Sequence, residues 1–215
     1  AEWGCGVTSE RAQYWDAVYG SKAEDAVSWF QESAATSLEL LDELALPAGA
    51  RLVDVGGGAS RLVDALLDRG GFELTVLDVA VEGLAHARAR LGGREESVSW
   101  VVADVTRWRP AGTYDVWHDR AVFHFLGAEE DRRHYVTTLN AAVRPGGHVV
   151  VATFAEDGPE QCSGLPVVRY DAASLAKALG PGLTPVASRR QVHRTPWGGE
   201  QPFTWLALRR TSGLS

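Results

Sequence analysis

Three adjacent glycines separate a short β-branched segment from a segment with helical periodicity. Gly56, Gly57 and Gly58 follow the predicted strand 51–55 and precede the predicted helix 59–68. Because glycine has no Cβ, such a turn can adopt positive φ and let a ligand approach the backbone. The amides at the start of the following helix would then point at that ligand. The turn indicates a ligand site, but by itself it does not choose among nucleotide-like ligands.

Three carboxylates stand at the ends of successive predicted strands. Asp54 lies two residues before the first glycine, Asp78 ends the second strand and Asp104 ends the third. Asp78 could accept hydrogen bonds from both hydroxyls of a ribose. Asp104 could accept one from an adenine amino group, with Val79 and Val105 as apolar neighbours of the ring. Asp54 could hold the turn or reach an ammonium group through water. A lone aspartate is more often a helix N-cap, but three at successive strand ends indicate a nucleoside site.

Strand and helix signals alternate through the middle of the chain. The predicted strands are 51–55, 72–77, 98–103, 114–117 and 148–153, and the predicted helices between them are 59–68, 81–91 and 129–143. Connections of helix length predict a parallel sheet that is covered on both faces. Right-handed crossovers then bring the carboxyl ends of the strands to one edge, where ligands bind.

The last part of the chain departs from this alternation. A helix is predicted over 170–179, followed by strands over 183–193 and 201–210. The connector 194–200 is too short for a crossover helix, so these two strands are predicted to be antiparallel neighbours. This ending and the missing third glycine of the dinucleotide fingerprint both disfavour a nicotinamide dehydrogenase.

Five short segments, taken in chain order, form a series of motifs. They are Asp54-Val55-Gly56-Gly57-Gly58-Ala59-Ser60, Val76-Leu77-Asp78-Val79, Ala103-Asp104-Val105, Tyr114-Asp115-Val116-Trp117 and Arg144-Pro145-Gly146-Gly147-His148. As a set they resemble the motifs of class I S-adenosylmethionine-dependent methyltransferases. The resemblance implies one α/β domain over 1–215, with a Rossmann-like, mostly parallel sheet of seven strands ordered 3-2-1-4-5-7-6. Strand 7 is then antiparallel, helices cover both faces, and residues 1–46 form a helical lid over the core of 47–215.

The resemblance also implies S-adenosylmethionine as the cofactor. The predicted cofactor-binding residues are Asp54, Gly56, Gly57, Gly58, Ser60, Asp78, Val79, Asp104, Val105 and His118, with Trp15, Tyr19 and Trp29 from the lid. An aromatic face favours a sulfonium through cation–π attraction. Ordinary packing of a helix on the sheet is the alternative for Tyr14 and Phe30.

The segment after the fourth predicted strand is expected beside the methionine end of the cofactor. We predict His118, Asp119, Arg120 and His124 as candidate catalytic residues. His118 would contact the cofactor through its backbone carbonyl, Asp119 could orient an amine acceptor, and His124 could act as a base. The alternatives are that Arg120 pairs with Asp119 or Asp54 and that His124 is a satisfied histidine at the start of a helix. Alignment of donor and acceptor can suffice without a base.

The long segment 154–166 follows the fifth predicted strand at the ligand edge. A loop of this length inside a compact domain is usually functional. We therefore predict Phe154, Cys162 and Tyr170 as residues near the methyl acceptor. For Cys162 a buried packing role is the alternative, since no histidine partner can be assigned to it.

Two further segments resemble a narrower branch of the family. Segments 14–19 and 117–126 look like motifs in bacterial relatives of the lysine methyltransferases that modify citrate synthase and elongation factor. Homologous branches methylate small molecules. The prediction is therefore methyl transfer to a nitrogen, oxygen or sulfur atom of a small molecule, with a protein-lysine acceptor as the alternative. A non-catalytic nucleoside sensor is the alternative from another class, because a binding site does not prove turnover.

Composition limits the partners. A net charge of −7 disfavours a nucleic-acid partner, which requires clustered basic surface. No apolar run reaches the length of about 20 residues that spans a bilayer. Two cysteines, Cys5 and Cys162, form no disulfide framework, and the histidines show no metal-ligand spacing. We expect a cytoplasmic monomer or homodimer without a metal or a membrane anchor.

Overall fold

The central sheet has seven strands, in a computed structural model that describes residues 9–21 and 23–211. Cys5 lies outside the described residues. The strands of the chain are β1 (Ala50–Val55), β2 (Phe72–Asp78), β3 (Val98–Val102), β4 (Tyr114–Arg120), β5 (Val143–Phe154), β6 (Gln161–Cys162), β7 (Leu165–Pro166), β8 (Leu183–Arg194) and β9 (Glu200–Arg210). The sheet order is β3-β2-β1-β4-β5-β9-β8, and β6 and β7 form a separate small hairpin.

Five neighbouring strands of the sheet are parallel, and β9 is antiparallel to both β5 and β8. Since β6 and β7 stand outside the sheet, this is the predicted order 3-2-1-4-5-7-6 with different labels. The predicted fold class is confirmed. The carboxyl ends of β1, β2, β3 and β4 therefore share one edge, where the predicted carboxylates lie.

The helices cover both faces of the sheet. They are α1 (Glu10–Ser21), α2 (Ala35–Glu43), α3 (Leu62–Arg69), α4 (Val81–Leu91), α5 (Glu129–Ala142) and α6 (Ala172–Leu179). Apolar side chains of α2, α3 and α4 pack with one face, which includes Leu52 of β1. Side chains of α5 and α6 pack with the other face, which includes Val53 of the same strand. This alternation is the period of two expected of a strand buried on both sides. None of the helices in the described part of the chain is long and apolar enough to cross a membrane.

Several element boundaries differ from the prediction. Strand β5 begins at Val143, five residues earlier than predicted, and α3 and α6 begin two to three residues later. Within residues 9–21 and 23–46 there are two helices, α1 and α2, and a short 3-10 turn (Glu24–Ala26). Strand β4 continues through Arg120 instead of ending at residue 117, because it pairs with β5 as far as Arg120 opposite Ala152. His118, Asp119 and Arg120 are therefore strand residues, and their side chains alternate between the two faces of the sheet.

Candidate active site

Two adjoining cavities lie at the carboxyl edge of the sheet. The larger has a volume of about 290 Å³, and the smaller has a volume of about 60 Å³. Of the predicted site residues, the larger cavity is lined by Trp15, Tyr19, Trp29, Gly56, Asp78, Val79, Asp104, Val105, Arg120 and Cys162. The smaller is lined by Tyr19, Trp29, Asp54, Gly56, Gly57, Ser60, His118 and Arg120. Most residues predicted from separate motifs thus meet around one space.

The glycine turn has the backbone that its composition predicts. Gly56 and Gly58 have φ of +67° and +35°, in the region that favours glycine. The amide of Gly56 donates to the carbonyl of Leu77 at 2.7 Å, which ties the turn to β2. A Cβ on Gly58 would lie 2.5 Å from the hydroxyl of Tyr19 and 2.9 Å from Oδ2 of Asp78. The turn therefore has no room for a side chain at this position.

Asp78 is a buried carboxylate at the end of β2. Its Oδ1 accepts a hydrogen bond from the amide of Ala80 at 2.8 Å. Burial, and to a smaller extent the nearby Asp54, raise the pKa of Asp78 to about 7, while hydrogen bonds from backbone amides oppose the shift. The carboxylate faces the larger cavity. It is available to accept hydrogen bonds from a ligand, and it is fully ionised only above neutral pH.

Asp104 is held by partners that the sequence did not identify. Arg11 Nη1 donates to its Oδ1 at 3.0 Å and to its Oδ2 at 2.8 Å, while Arg11 Nη2 donates to Asp131 at 3.0 Å. The amide and the hydroxyl of Thr106 also donate to Oδ1, at 2.9 and 2.7 Å. Oδ2 of Asp104 therefore accepts fewer hydrogen bonds than Oδ1. Arg11 lines the larger cavity, and no motif pointed to it because its role depends on α1 crossing the sheet edge.

Asp54, His118 and Ser37 form a buried chain of hydrogen bonds. Nδ1 of His118 lies 2.7 Å from Oδ1 of Asp54, and Nε2 lies 2.9 Å from the hydroxyl of Ser37. Since a carboxylate only accepts hydrogen bonds, Nδ1 is the donor and Nε2 faces the serine. Both ring nitrogens are occupied, which argues against His118 as a base. Oδ2 of Asp54 is buried without a partner, and Asp54 lines the smaller cavity.

Aromatic side chains from the amino-terminal segment close over the cavities. The ring of Trp15 packs edge-on against Trp29 at 5.7 Å and against Phe125 at 5.1 Å. Tyr19 packs against Trp29 at 6.1 Å. The hydroxyl of Tyr14 donates to the carbonyl of Ser163, which joins α1 to the β6–β7 hairpin. The predicted lid residues therefore lie together over the site.

Asp119 and His124 lie away from the cavities. Asp119 is buried and accepts from the amides of Val122 and Phe123, at 2.8 and 3.1 Å, and from the hydroxyl of Tyr135 at 2.5 Å. His124 is buried, its Nδ1 accepts from the amide of Phe154 at 3.2 Å, and desolvation lowers its pKa to about 3. Their placement matches a structural role for Asp119. His124 is hydrogen-bonded through Nδ1, but its Nε2 is buried without a partner. Neither residue lines a cavity, which does not support either as a catalytic group.

Of the three residues predicted near the methyl acceptor, one lines a cavity and two do not. Cys162 lines the larger cavity, together with Leu165 and Pro166 of the same hairpin. Burial raises the pKa of the Cys162 thiol. Cys162 therefore lines the cavity as a neutral side chain. Phe154 and Tyr170 are buried in the core beside β9, where Phe154 packs on Phe203 at 5.0 Å and the carbonyl of Tyr170 accepts from Thr204. Phe154 is the last residue of β5 and Tyr170 precedes α6, and both side chains are buried in the core instead of lining a cavity.

Arg120 lines both cavities and pairs with neither Asp119 nor Asp54. Its Nη1 donates to the carbonyl of Trp29 at 3.0 Å.

No cluster of three histidine, cysteine, aspartate or glutamate side chains suited to a metal ion occurs within residues 9–21 and 23–211.

Comparison with known proteins adds an independent observation. Residues 52–147 match the family model described as a methyltransferase domain. The matched segment begins in β1 and ends in β5, so it contains the glycine turn, Asp78, Asp104 and Arg120. The match covers the region of the chain that carries the predicted motifs.

Curated relatives of this chain are longer than the part that matches it. The biotin biosynthesis bifunctional protein BioCD of Bordetella avium (strain 197N) is 33% identical, over 76% of this chain and 33% of its own length. The nodulation protein S of Rhizobium tropici is 32% identical, over 52% of this chain and 46% of its own length. The chain thus spans less than half the length of these two curated relatives.

A solved structure shares the fold of this chain over nearly its whole length. It is the Burkholderia thailandensis 1,6-didemethyltoxoflavin-N1-methyltransferase with bound 1,6-didemethyltoxoflavin and S-adenosylhomocysteine. The two chains superpose with a TM-score of 0.71 at 22% identity, over 99% of this chain and 94% of that chain. At this identity the likeness supports the architecture.

Proposed function

We propose that the protein transfers a methyl group from S-adenosylmethionine to a small molecule. The observation that carries the proposal is the placement of buried Asp78 directly against Gly58, within a cavity that also contains Asp104. A carboxylate at the end of the second strand accepts ribose hydroxyls in nucleoside-binding sheets of this type. Gly56 of the glycine turn lines the same cavity, so the turn and both carboxylates face one space.

The unpartnered atoms of the site fit this cofactor. Oδ2 of Asp54 is buried in the smaller cavity with no hydrogen-bond donor. A buried carboxylate oxygen without a partner is costly, so it calls for a donor from a ligand. The ammonium group of the methionine end of S-adenosylmethionine is such a donor. Asp78 would hold the ribose, and Asp104 with Val79 and Val105 would hold the adenine.

Alignment and exclusion of water are the contributions that we assign to the chain. S-adenosylmethionine, when bound, supplies an electrophilic methyl group on a sulfonium. Trp15, Tyr19 and Trp29 cover the site, keep water out and present aromatic faces that favour a cation. His118 has both ring nitrogens occupied and His124 is buried elsewhere. We therefore propose catalysis by positioning, with no general base from these two histidines.

The walls of the larger cavity favour a small acceptor. Cys162, Leu165 and Pro166 close it on the hairpin side, while Trp15 and Phe125 close it on the lid side. A protein-lysine acceptor, as in the branch that segments 14–19 and 117–126 resemble, needs a channel for one extended side chain. It remains the alternative, together with a non-catalytic sensor.

The test is production of S-adenosylhomocysteine, measured by mass spectrometry. The protein would be incubated with S-adenosylmethionine and a metabolite panel, and separately with a protein lysate. Product formation with a metabolite fraction supports the proposal, and formation only with protein supports the lysine alternative. Tight binding without turnover in either mixture would indicate a sensor. Binding of NAD in place of S-adenosylmethionine would reject all three.

A further inference from the structure

The guanidinium of Arg120 is a buried cation with two unused donors. Nη1 donates to the carbonyl of Trp29, whereas Nε and Nη2 are buried and have no hydrogen-bond partner. Asp119 is engaged by Tyr135 and two amides. Oδ1 of Asp54 is held by His118, and the Asp54 charge is near enough to favour the charged form of Arg120 without forming an ion pair with it. Within the described part of the chain, no ion pair compensates this charge.

The arginine keeps its charge at neutral pH. Desolvation lowers the pKa of Arg120 to about 10, which still leaves the side chain protonated. A buried cation without a counter-ion costs free energy, and an anion supplied by a ligand would remove that cost. Nε and Nη2 lie on the same side of the planar guanidinium, and their parallel N–H groups match the two oxygens of a carboxylate.

The position of Arg120 separates it from the predicted adenosine site. In the sheet order, Asp104 follows β3 and Asp78 ends β2, on one side of the glycine turn after β1. Arg120 ends β4 on the other side, and its guanidinium lies 4.7 Å from the ring centre of Phe203 in β9. In the larger cavity it has Phe125 and Cys162 as apolar neighbours. Arg120 also lines the smaller cavity beside Asp54, so the methyl acceptor and the methionine end of the cofactor are the two groups within its reach.

We propose that Arg120 binds a carboxylate group of the methyl acceptor, so that the substrate is a small carboxylic acid with an apolar or aromatic body. This assignment rests on the proposed methyltransferase function. Donation from the guanidinium withdraws electron density from the carboxylate it binds. The carboxylate is therefore the anchoring group, and a second nitrogen, oxygen or sulfur atom of the acceptor is the nucleophile.

The test uses protein saturated with S-adenosylhomocysteine and three carboxylate probes, acetate, benzoate and indole-3-acetate, each compared with its neutral amide. Calorimetry should show binding of at least one acid and of none of the matching amides. Arg120→Met should weaken that binding by about 10- to 100-fold, since hydrogen bonds to a charged group are lost. Arg120→Lys keeps the charge but lacks the paired donors, so its affinity for the acid should lie between those of wild type and Arg120→Met. Arg190→Met, at an exposed arginine, is the control.

A second measurement separates the acceptor from the cofactor. Arg120→Met should bind S-adenosylhomocysteine and 5′-methylthioadenosine, which lacks the amino-acid end, as wild type does. A selective loss of S-adenosylhomocysteine affinity would show that Arg120 serves the carboxylate of the cofactor, and the proposal would be overturned. It would equally be overturned if none of the acids binds, or if wild type and Arg120→Met bind them alike. Failure of wild type to bind S-adenosylhomocysteine would instead remove the proposed function itself.

Discussion

Asp78 combines deep burial with a role that requires its charge. In the ligand-free protein its pKa is about 7, well above that of an exposed aspartate, because burial disfavours the carboxylate. Ribose hydroxyls would replace the lost solvation and favour the ionised form. Cofactor binding and deprotonation of Asp78 should therefore be linked, and affinity should rise as the pH rises through 7.

We expect wild type to bind 5′-methylthioadenosine roughly tenfold more tightly at pH 8 than at pH 6, as a group of pKa about 7 requires. Asp78→Asn should lose about 1–3 kcal/mol of binding free energy at pH 8 and most of this pH dependence. Calorimetry at both pH values provides the measurement. Equal affinity of wild type at pH 6 and pH 8 would contradict the linkage.

Gly58 permits a matched test of the close approach at the turn. Gly58→Ala places a methyl group against the hydroxyl of Tyr19 and the carboxylate of Asp78, at a residue with φ of +35°. Gly92→Ala introduces similar backbone strain, at φ of +57°, where nothing lies within 4 Å. Both substitutions should cost about 1 kcal/mol or more of stability. Only Gly58→Ala should also reduce S-adenosylhomocysteine affinity by more than roughly tenfold, measured by calorimetry. Equal losses of affinity would assign the effect to general destabilisation.

At the scale of elements, helix α1 acts as a strap across the open edge of the sheet. Arg11 joins it to Asp104, the hydroxyl of Tyr14 joins it to the β6–β7 hairpin, and Asp16 accepts from the amide of Glu82 at the start of α4. Its central contact is Tyr19, whose ring packs on Gly83 in α4. Because Tyr19 lines both cavities, the position of this strap controls the shape of the site.

A pair of glycine substitutions tests this contact. A Cβ on Gly83 would lie 2.9 Å from Cε2 of Tyr19, whereas a Cβ on Gly20 in α1 meets nothing within 4 Å. Alanine at Gly20 should leave stability unchanged or raise it by up to about 1 kcal/mol. Alanine at Gly83 should lower the free energy of unfolding by about 1–3 kcal/mol, despite the better helix propensity, and speed hydrogen exchange in α1. Urea unfolding and hydrogen-exchange mass spectrometry give the two readouts. If both substitutions stabilise the protein, the Tyr19 ring can move aside at little cost, and the prediction is wrong.

At the scale of the whole molecule, buried titratable groups should shape the pH dependence of stability. His124 is neutral in the fold, with a pKa of about 3, well below the ordinary histidine value. Between these two values the unfolded chain binds the extra proton and the folded protein does not. The contribution of His124 to stability is therefore intact above pH 6.5 and is lost progressively as the pH falls toward 3. Asp119 and Asp78, whose pKa values are raised by burial to about 6 and about 7, act in the opposite direction over part of this range.

His124→Asn isolates the histidine contribution. Asparagine can still accept from the amide of Phe154, as Nδ1 of His124 does at 3.2 Å, but it does not titrate. Wild type should lose about 2 kcal/mol from this group between pH 7.5 and pH 5. The pH dependence of the variant should be smaller by that amount, as measured by urea unfolding at both pH values. Parallel pH profiles would show that His124 is not buried neutral, and much lower stability of the variant at pH 7.5 would show that asparagine does not replace the acceptor.

The sequence alone determined the features that depend on local order along the chain. The alternation of strands and helices, the short connector before the last strand, and the glycine turn followed by Asp78 and Asp104 depend on backbone periodicity, turn chemistry and spacing. These are properties of short segments, and they are enough to predict a parallel sheet, an antiparallel pair at its end and the edge that binds a ligand. The strand order followed from the resemblance of the motifs to a known family.

Only the tertiary structure decided which side chains at that edge face the cavity. The extension of β4 by pairing with β5 turned the side chain of His118 toward Asp54 and that of Asp119 toward Tyr135, so the Asp119 carboxylate is not free to orient an acceptor. Packing also brought Arg11 to Asp104, left Arg120 without an anion, and buried Phe154 and Tyr170. Such contacts join segments that are far apart in the chain. Because they depend on register and on the path of α1, no local pattern of residues contains them.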